Sequence, residues 1–143
     1  MGRSVFVAST YGYPYPKLPD GAGPGVPADA RFRGGLSRVD ADGSGCDLRW
    51  ENDTRSSAVP TLSTADGLIH TVVRRPLIPG TDTTSLLDPY AYVQLDPATG
   101  REVRAHHLGV GSLFDTLQMV GNFAPGGVVY QGTITGVVRI SAR

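Results

Sequence analysis

Short runs of β-branched and aromatic residues recur along this chain, and turn-forming residues separate nearly all of them. The 143 residues include 19 glycines and 11 prolines, nearly twice the usual ~12% for the two together. Such a chain turns often and has little room for long helices. We therefore predict an all-β fold of short antiparallel strands. The ten predicted strands are Val5–Ser9, Leu36–Asp40, Asp47–Glu51, Ala58–Leu62, Leu68–Val73, Tyr90–Asp96, Glu102–Leu108, Leu117–Val120, Val128–Thr133 and Val137–Ser141.

Three segments of the chain match one another when they are aligned. Ala65–Thr71 resembles Ala124–Gln131 with one extra glycine, and the strand that starts at Val5 fits the same pattern. The matched strands start at Val5, Leu68 and Val128, which are 63 and 60 residues apart. We expect a single β-repeat domain over residues 1–143, with units near 1–62, 63–121 and 122–143.

One of the predicted strands also carries the signals of a helix. Ser112 is a candidate N-cap, Asp115 follows three positions later, and Gly121 is a candidate stop. The internal repeat favours a strand over at least the second half of this segment, Leu117–Val120. We therefore predict a strand there.

Two long insertions interrupt the repeat at the same hairpin. Residues 11–34 hold five prolines and five glycines and begin with three tyrosines, and residues 74–89 are rich in proline and threonine. We expect neither to form a packed element, and loops of this length are commonly functional. Each alone fits an insertion that a repeat fold merely tolerates. Together they lie on one rim, which favours a binding surface there.

A turn motif recurs with the repeat. Leu95–Val103 contains the pattern Asp-x-x-Thr-Gly, in which side chains bond the turn backbone and glycine supplies a positive φ. Val39–Trp50 contains a second copy with a longer turn, and Gly127–Gly132 matches a strand that opens such a unit. These segments resemble the blades of quinoprotein-like β-propellers. In that resemblance Trp50 is a docking tryptophan, whereas Arg104 stands where the next copy would have its tryptophan.

The resemblance implies β-propeller-type blades of four antiparallel strands, arranged as an incomplete ring. Ten strands amount to about two and a half blades, whereas a closed propeller has at least ~4. The open edges of an incomplete ring favour aggregation unless they are covered. We expect a protein partner, or self-association, to complete the propeller. A β-sandwich that closes the ten strands differently is the alternative.

The resembled family includes cofactor-bearing dehydrogenases and also non-catalytic scaffolds, and many of its members are exported bacterial proteins. The resemblance therefore implies a bacterial, extracytoplasmic scaffold or binding module. The alternative is a segment of a propeller enzyme, quinoprotein dehydrogenase-like or lactonase and strictosidine-synthase-like. Trp50, Arg104 and Asp53 are residue types that a quinone site uses, but a complete pocket draws on every blade. We predict no catalytic or cofactor-binding residue in this chain.

Two patterns deserve testing as metal sites. Residues 40–51 have the spacing of a calcium loop, with oxygen-bearing side chains at positions one, three and five, Gly45 at six and Glu51 at twelve. No predicted helix flanks them, so we predict a hairpin turn and no metal, with calcium as the alternative. His106 and His107 point to opposite faces of a predicted strand, and His70 lies in another strand. We expect all three to be ordinary half-exposed histidines.

Charge and hydropathy exclude several classes of partner. Thirteen basic and thirteen acidic residues cancel, which argues against a nucleic-acid surface. No apolar stretch approaches the ~18 residues of a membrane span. The first ten residues lack the apolar run of a signal peptide, so the chain itself fixes no compartment. Cys46 is the one cysteine, and we expect it to be half-buried in a strand or turn.

Overall fold

The computed structural model describes residues 3–8 and 34–141, and there the protein is all-β. Strands make up 55% and helix 3%, which confirms the prediction of an all-β, antiparallel fold. The insertion at residues 11–34 lies outside the described residues except for Gly34. No helix in the described part of the chain is long and apolar enough to cross a membrane.

The described strands form three antiparallel sheets that follow one another along the chain. The first sheet has the order β1-β2-β3, the second β4-β5-β6-β7 and the third β10-β9-β8. This arrangement is compatible with an incomplete propeller and with a sandwich. The elements are β1 (Arg3–Ala8), β2 (Leu36–Asp42), β3 (Gly45–Asn52), β4 (Thr61–Leu62), β5 (Ile69–Arg74), β6 (Pro89–Leu95), β7 (Glu102–Val110), a 3-10 helix (Ser112–Phe114), β8 (Asn122–Ala124), β9 (Val128–Thr133) and β10 (Gly136–Ile140).

The second sheet lies between the other two, and strand alternation decides which residues face each neighbour. Every residue of β5 is buried, as is typical of a strand covered on both faces. Two apolar clusters result, one against each neighbouring sheet. The cluster against the first sheet contains Leu36, Ile69, Val73, Ala91, Val93 and Leu95, with Phe6 and Trp50 packed on it. The cluster against the third contains Ala58, Val72, Tyr90, Tyr92 and Val129, with Leu108, Phe114 and Ile140 packed on it.

A tight turn of the second sheet holds the first sheet in place. Gly100 in this turn has a φ of +70°, and a Cβ there would come within 2.6 Å of the Trp50 ring. Only glycine fits both the backbone and the ring. Asn52 Nδ2 donates to the Gly100 carbonyl at 2.8 Å, and Arg38 donates to the Pro97 carbonyl at 2.9 Å. The predicted role of Trp50, packing between neighbouring units of the repeat, agrees with this contact.

The strand predicted at Leu117–Val120 is wrong, and so is a helix over this segment. The chain makes a single 3-10 turn and then crosses towards the third sheet, with Leu117 and Gln118 at positive φ. Buried side chains fix this path. The Asp115 carboxylate accepts hydrogen bonds from the Tyr90 hydroxyl at 2.7 Å and the Leu117 N–H at 2.8 Å. The next strand, β8, begins only at Asn122.

The cross-strand register shifts the alignment of the repeat by one residue. Phe6 pairs with Arg38 and then Trp50, and His70 pairs with Gln94 and then Arg104. Phe6 in the first sheet therefore corresponds to His70 in the second. The alignment made from the sequence, in which Val5 corresponds to Leu68, would instead match Phe6 with Ile69. This matters because a slip of one residue moves a side chain to the other face of the sheet.

The sheet limits also differ from the expected limits of the repeat units. Thr61 and Leu62, which close the first expected unit, pair with His70 and Ile69 and so lie in the second sheet. The second sheet alone has four strands, and the other two have three each among the described residues.

Candidate functional site

The segment with calcium-loop spacing is a β-hairpin. Asp40 accepts from Arg38 at 2.8 Å and Arg49 at 2.9 Å, and these bonds, with one from Ser4, hold the pKa of Asp40 far below its usual range. Asp42 accepts the Ser44 N–H within the turn at 2.7 Å. Glu51 lies opposite Ser37, several residues along the hairpin from this turn. The hairpin therefore separates the carboxylates that a calcium loop would bring together.

The three histidines have different environments. His106 pairs with Tyr92 and His107 with Ala91, so the two rings do lie on opposite faces of β7, and both residues are exposed. The expectation of a half-exposed His70 is wrong, since only 7% of it is exposed. No group of three or more metal-ligating side chains occurs within residues 3–8 and 34–141.

The remaining sequence candidates do not form one site. Trp50 packs between the first and second sheets, and Asp53 lines a cavity of about 650 Å³ on the same side of the second sheet. Arg104 lines a cleft on the opposite side, between the second and third sheets. Cys46 is exposed in β3, opposite Ala41, and not half-buried as expected. The residue types of a quinone site are therefore distributed over two faces of the sheet.

The second insertion is fastened to the sheets by two buried arginines. Arg55, 5% exposed, donates to the carbonyls of Thr83 at 3.0 Å and Thr81 at 3.1 Å. Arg74, 2% exposed, donates to the fully buried carboxylate of Asp88 at 2.8 Å. The expectation that this insertion is not packed is therefore wrong, because buried hydrogen bonds hold it against the sheets. It contains no strand between β5 and β6.

The anchored insertion joins two other segments at the same end of the strands. The Gly111 N–H donates to the Asp88 carbonyl at 3.0 Å, and Thr135 Oγ1 donates to the Leu113 carbonyl at 3.1 Å. We call residues 75–88, 111–115 and 134–135 together the rim. Six of its large apolar side chains are 41–62% exposed, although their backbone is held by hydrogen bonds. They are Leu77, Ile78, Leu86, Leu87, Leu113 and Ile134.

A buried hydrogen-bonded network lies on the other half of the second sheet. His70 Nε2 lies 3.0 Å from the Asp66 carboxylate, and His70 Nδ1 bonds the hydroxyl of Tyr92. An ionised carboxylate only accepts, so Nε2 carries a proton, and in the neutral ring Nδ1 accepts from Tyr92. The Phe123 ring contacts His70 edge-on with centroids 4.9 Å apart. Tyr92 is 4% exposed, so its hydroxyl is not accessible to a ligand. The network therefore forms the floor of a site and does not project into it.

The network shifts two pKa values. Burial raises the pKa of Asp66, but hydrogen bonds from His70, the Leu68 N–H and Ser63 together outweigh it and lower this pKa below 3.8. Burial, helped by the nearby charge of Asp66, raises the pKa of Tyr92 well above its ordinary value of 10.0. Asp66 is therefore ionised and Tyr92 protonated at neutral pH.

The network is the floor of a cleft of about 610 Å³ between the second and third sheets. Gln94, Arg104 and His106 line one wall, and Phe123 and Ile140 line the other. The sequence did not predict this site because Tyr92 lies 22 residues from His70 in the chain. Asp66, in a turn four residues before His70, was the one local signal.

Comparisons of this chain with protein-family models, with curated proteins and with solved structures find no match.

Proposed function

We propose that this chain is a non-catalytic scaffold and binding module, built from propeller-type sheets and completed by a second copy of itself. One observation carries the proposal. The outer faces of the first and third sheets present apolar side chains to solvent, whereas the central strands β5 and β6 of the second sheet are packed on both faces.

The outer face of the first sheet supports this proposal directly. Val5, Val39 and Leu48 form one cross-strand row there, and Val5 and Leu48 are 50% and 61% exposed. Val5 in the first sheet corresponds to Ile69 in the second sheet. The first sheet packs on Ile69 and buries it completely. A sheet packed on Val5 would repeat a contact that the chain already makes internally.

The outer face of the third sheet offers the complementary surface. Tyr130 and Val137 are 41% and 69% exposed on the face opposite Val129, which packs on the second sheet. If this face packs on the first sheet of a second copy, the two sheets stack in the same way as consecutive sheets within one chain. Two copies supply six sheets, within the ~4–8 blades of closed propellers. Contacts of this head-to-tail kind close into a ring when the rotation allows it.

The rim supplies the second half of the proposal, a docking surface for a different protein. Apolar side chains on a backbone that is already fixed lose little conformational entropy on binding. A few side chains that become fully buried at the centre of an interface carry most of its binding energy. We propose that the partner presents an apolar surface to Leu86 and Leu87.

The two halves are tested separately. Association of the copies is tested by the mass of the chain in solution, which should be that of a dimer. For the rim, a photo-crosslinking amino acid replaces Leu87 in the cells that make the protein, and a captured partner is purified and mixed with the chain. We expect it to bind the wild type and to lose at least about tenfold in affinity for Leu86→Asp.

The matched control carries the crosslinker at Ser44, which is exposed in the β2–β3 turn at the opposite end of the strands. Equal crosslinking from Leu87 and Ser44, or equal affinity for wild type and Leu86→Asp, would overturn the rim as a docking surface. Neither result would affect the proposed dimer.

A further inference from the structure

The cleft between the second and third sheets lies at the repeat position that aromatic rings fill in the interface between the first and second sheets. At the first interface Phe6 and Trp50 lie in one cross-strand row, with ring centroids 6.0 Å apart, and pack on the core. The corresponding row of the second sheet holds His70 and Arg104. The same position in the repeat is therefore closed by rings in one interface and lined by polar groups in the next.

One charge in the cleft is available to a ligand. The backbone of Arg104 pairs with Gln94, but its guanidinium makes no hydrogen bond or ion pair with any residue in the described part of the chain. His106, two residues further along β7, projects from the same face as Arg104 and also lines the cleft. Asp66, the one carboxylate among the described lining residues, is already bonded by His70 and by the Leu68 N–H. The cleft thus presents unpaired donors, and its one described carboxylate is already hydrogen-bonded.

The wall opposite Arg104 is apolar. Phe123, Val129 and Ile140 reach it from the third sheet, and Phe123 is held edge-on against His70. Ligand sites are commonly apolar clefts of ~300–1,000 Å³ with a few convergent polar groups, and this cleft of about 610 Å³ fits that description.

We infer that this cleft binds a small organic acid, with its carboxylate on Arg104 and its planar apolar body against Phe123 and Ile140. A guanidinium recognises a carboxylate with two parallel hydrogen bonds, which a neutral amide cannot reproduce. The ring of the ligand then occupies the space that Trp50 fills at the first interface. This inference does not depend on the dimer or on the rim.

The test uses phenylacetate as the probe, with phenylacetamide and inorganic phosphate as its neutral and purely anionic counterparts. Saturable binding is followed by ligand-observed NMR and by the rise in Tm. We expect phenylacetate to bind at least about tenfold more tightly than either counterpart, and Arg104→Gln to remove that difference. The control Arg101→Gln makes the same charge change on an exposed residue outside the cleft and should leave binding unchanged.

A second variant separates the site from a general effect of charge. Arg104→Trp places at the second interface the residue that closes the first, so we expect it to fold, to keep or raise the Tm, and to lose phenylacetate binding. The inference is wrong if the probe does not bind to the wild type. It is equally wrong if acid and amide bind alike, or if Arg104→Gln and Arg101→Gln bind the acid equally well.

Discussion

The indole N–H of Trp50 in the first sheet donates to the carbonyl oxygen of Pro97 in the second, across 2.9 Å. This bond places the indole ring over Gly100, the residue whose positive φ closes the β6–β7 turn. A motif that forms the turn of one sheet is therefore also the docking position for the preceding sheet. The relationship explains how the first two sheets stack, because the β6–β7 turn both ends a hairpin and positions the neighbouring sheet.

Replacing Gly100 by alanine should be more destabilising than the same change at Gly67. Both glycines have φ near +70°, which costs about 1 kcal/mol for a residue with a Cβ. At Gly100 the new Cβ also meets the Trp50 ring, adding about 1–3 kcal/mol of overpacking, whereas at Gly67 nothing lies within 4 Å. Urea unfolding of the two variants measures the difference. Equal losses would show that the Trp50 ring does not restrict Gly100.

Removing the charge of Asp88 should loosen the rim and destabilise the fold. Asp88→Asn leaves the guanidinium of Arg74 buried without its ionic partner, and we expect a loss of about 3–5 kcal/mol. The control is Glu102→Gln, which breaks the exposed pair with Arg75 and should cost no more than about 1 kcal/mol. Both are measured as free energies of unfolding. A loss at Asp88 no greater than at Glu102 would contradict the anchoring role of the buried pair.

Tyr92 should make the protein sensitive to alkali. Because burial raises the pKa of Tyr92, the folded protein keeps the phenol proton while the unfolded chain releases it above about pH 10. The stabilisation is complete below that pH and is lost as the pH rises towards the pKa of the folded state. The unfolding free energy should therefore fall as the pH rises above about 10, by at most about 1.4 kcal/mol per pH unit for this group.

The comparison that isolates Tyr92 uses two hydroxyl deletions. Tyr92→Phe should be less stable at neutral pH by about 1–3 kcal/mol, because it leaves His70 Nδ1 without its partner, and its stability should fall less steeply in alkali. Tyr130→Phe removes the hydroxyl of a tyrosine that is 41% exposed and should keep the wild-type slope. Parallel alkaline slopes for wild type and Tyr92→Phe would contradict the assignment.

The elements that the sequence predicted well are those with strong local signals. β5 and β6 are rich in β-branched and aromatic residues and bounded by turn residues, and the Asp-x-x-Thr-Gly motif forms the turn that its residue types favour. The crossing after residue 112 was not predictable in the same way, because it depends on a bond between Asp115 and Tyr90, 25 residues apart. A buried long-range bond of this kind overrides the local preference for a strand or a helix.

The sites show the same division between local and distant signals. One part of the rim was predicted from the insertion at residues 74–89, whereas its fixed backbone depends on Arg55, which lies outside that insertion. The cleft was missed because its floor joins β5 and β6 through His70 and Tyr92. Besides Asp66 near His70, the sequence offered Arg104 as a clue, a cation at the position where the repeat elsewhere has Trp50.

The mass of the purified chain, measured by light scattering during size-exclusion chromatography, is the most direct test of the proposed stack. The exposed side chains of Val5 and Leu48 on the first sheet and of Tyr130 and Val137 on the third predict a dimer, with twice the 15.1 kDa of one chain. Leu48→Lys should convert it to a smaller and less stable species. A wild-type monomer of 15.1 kDa that melts in one cooperative transition would contradict the account.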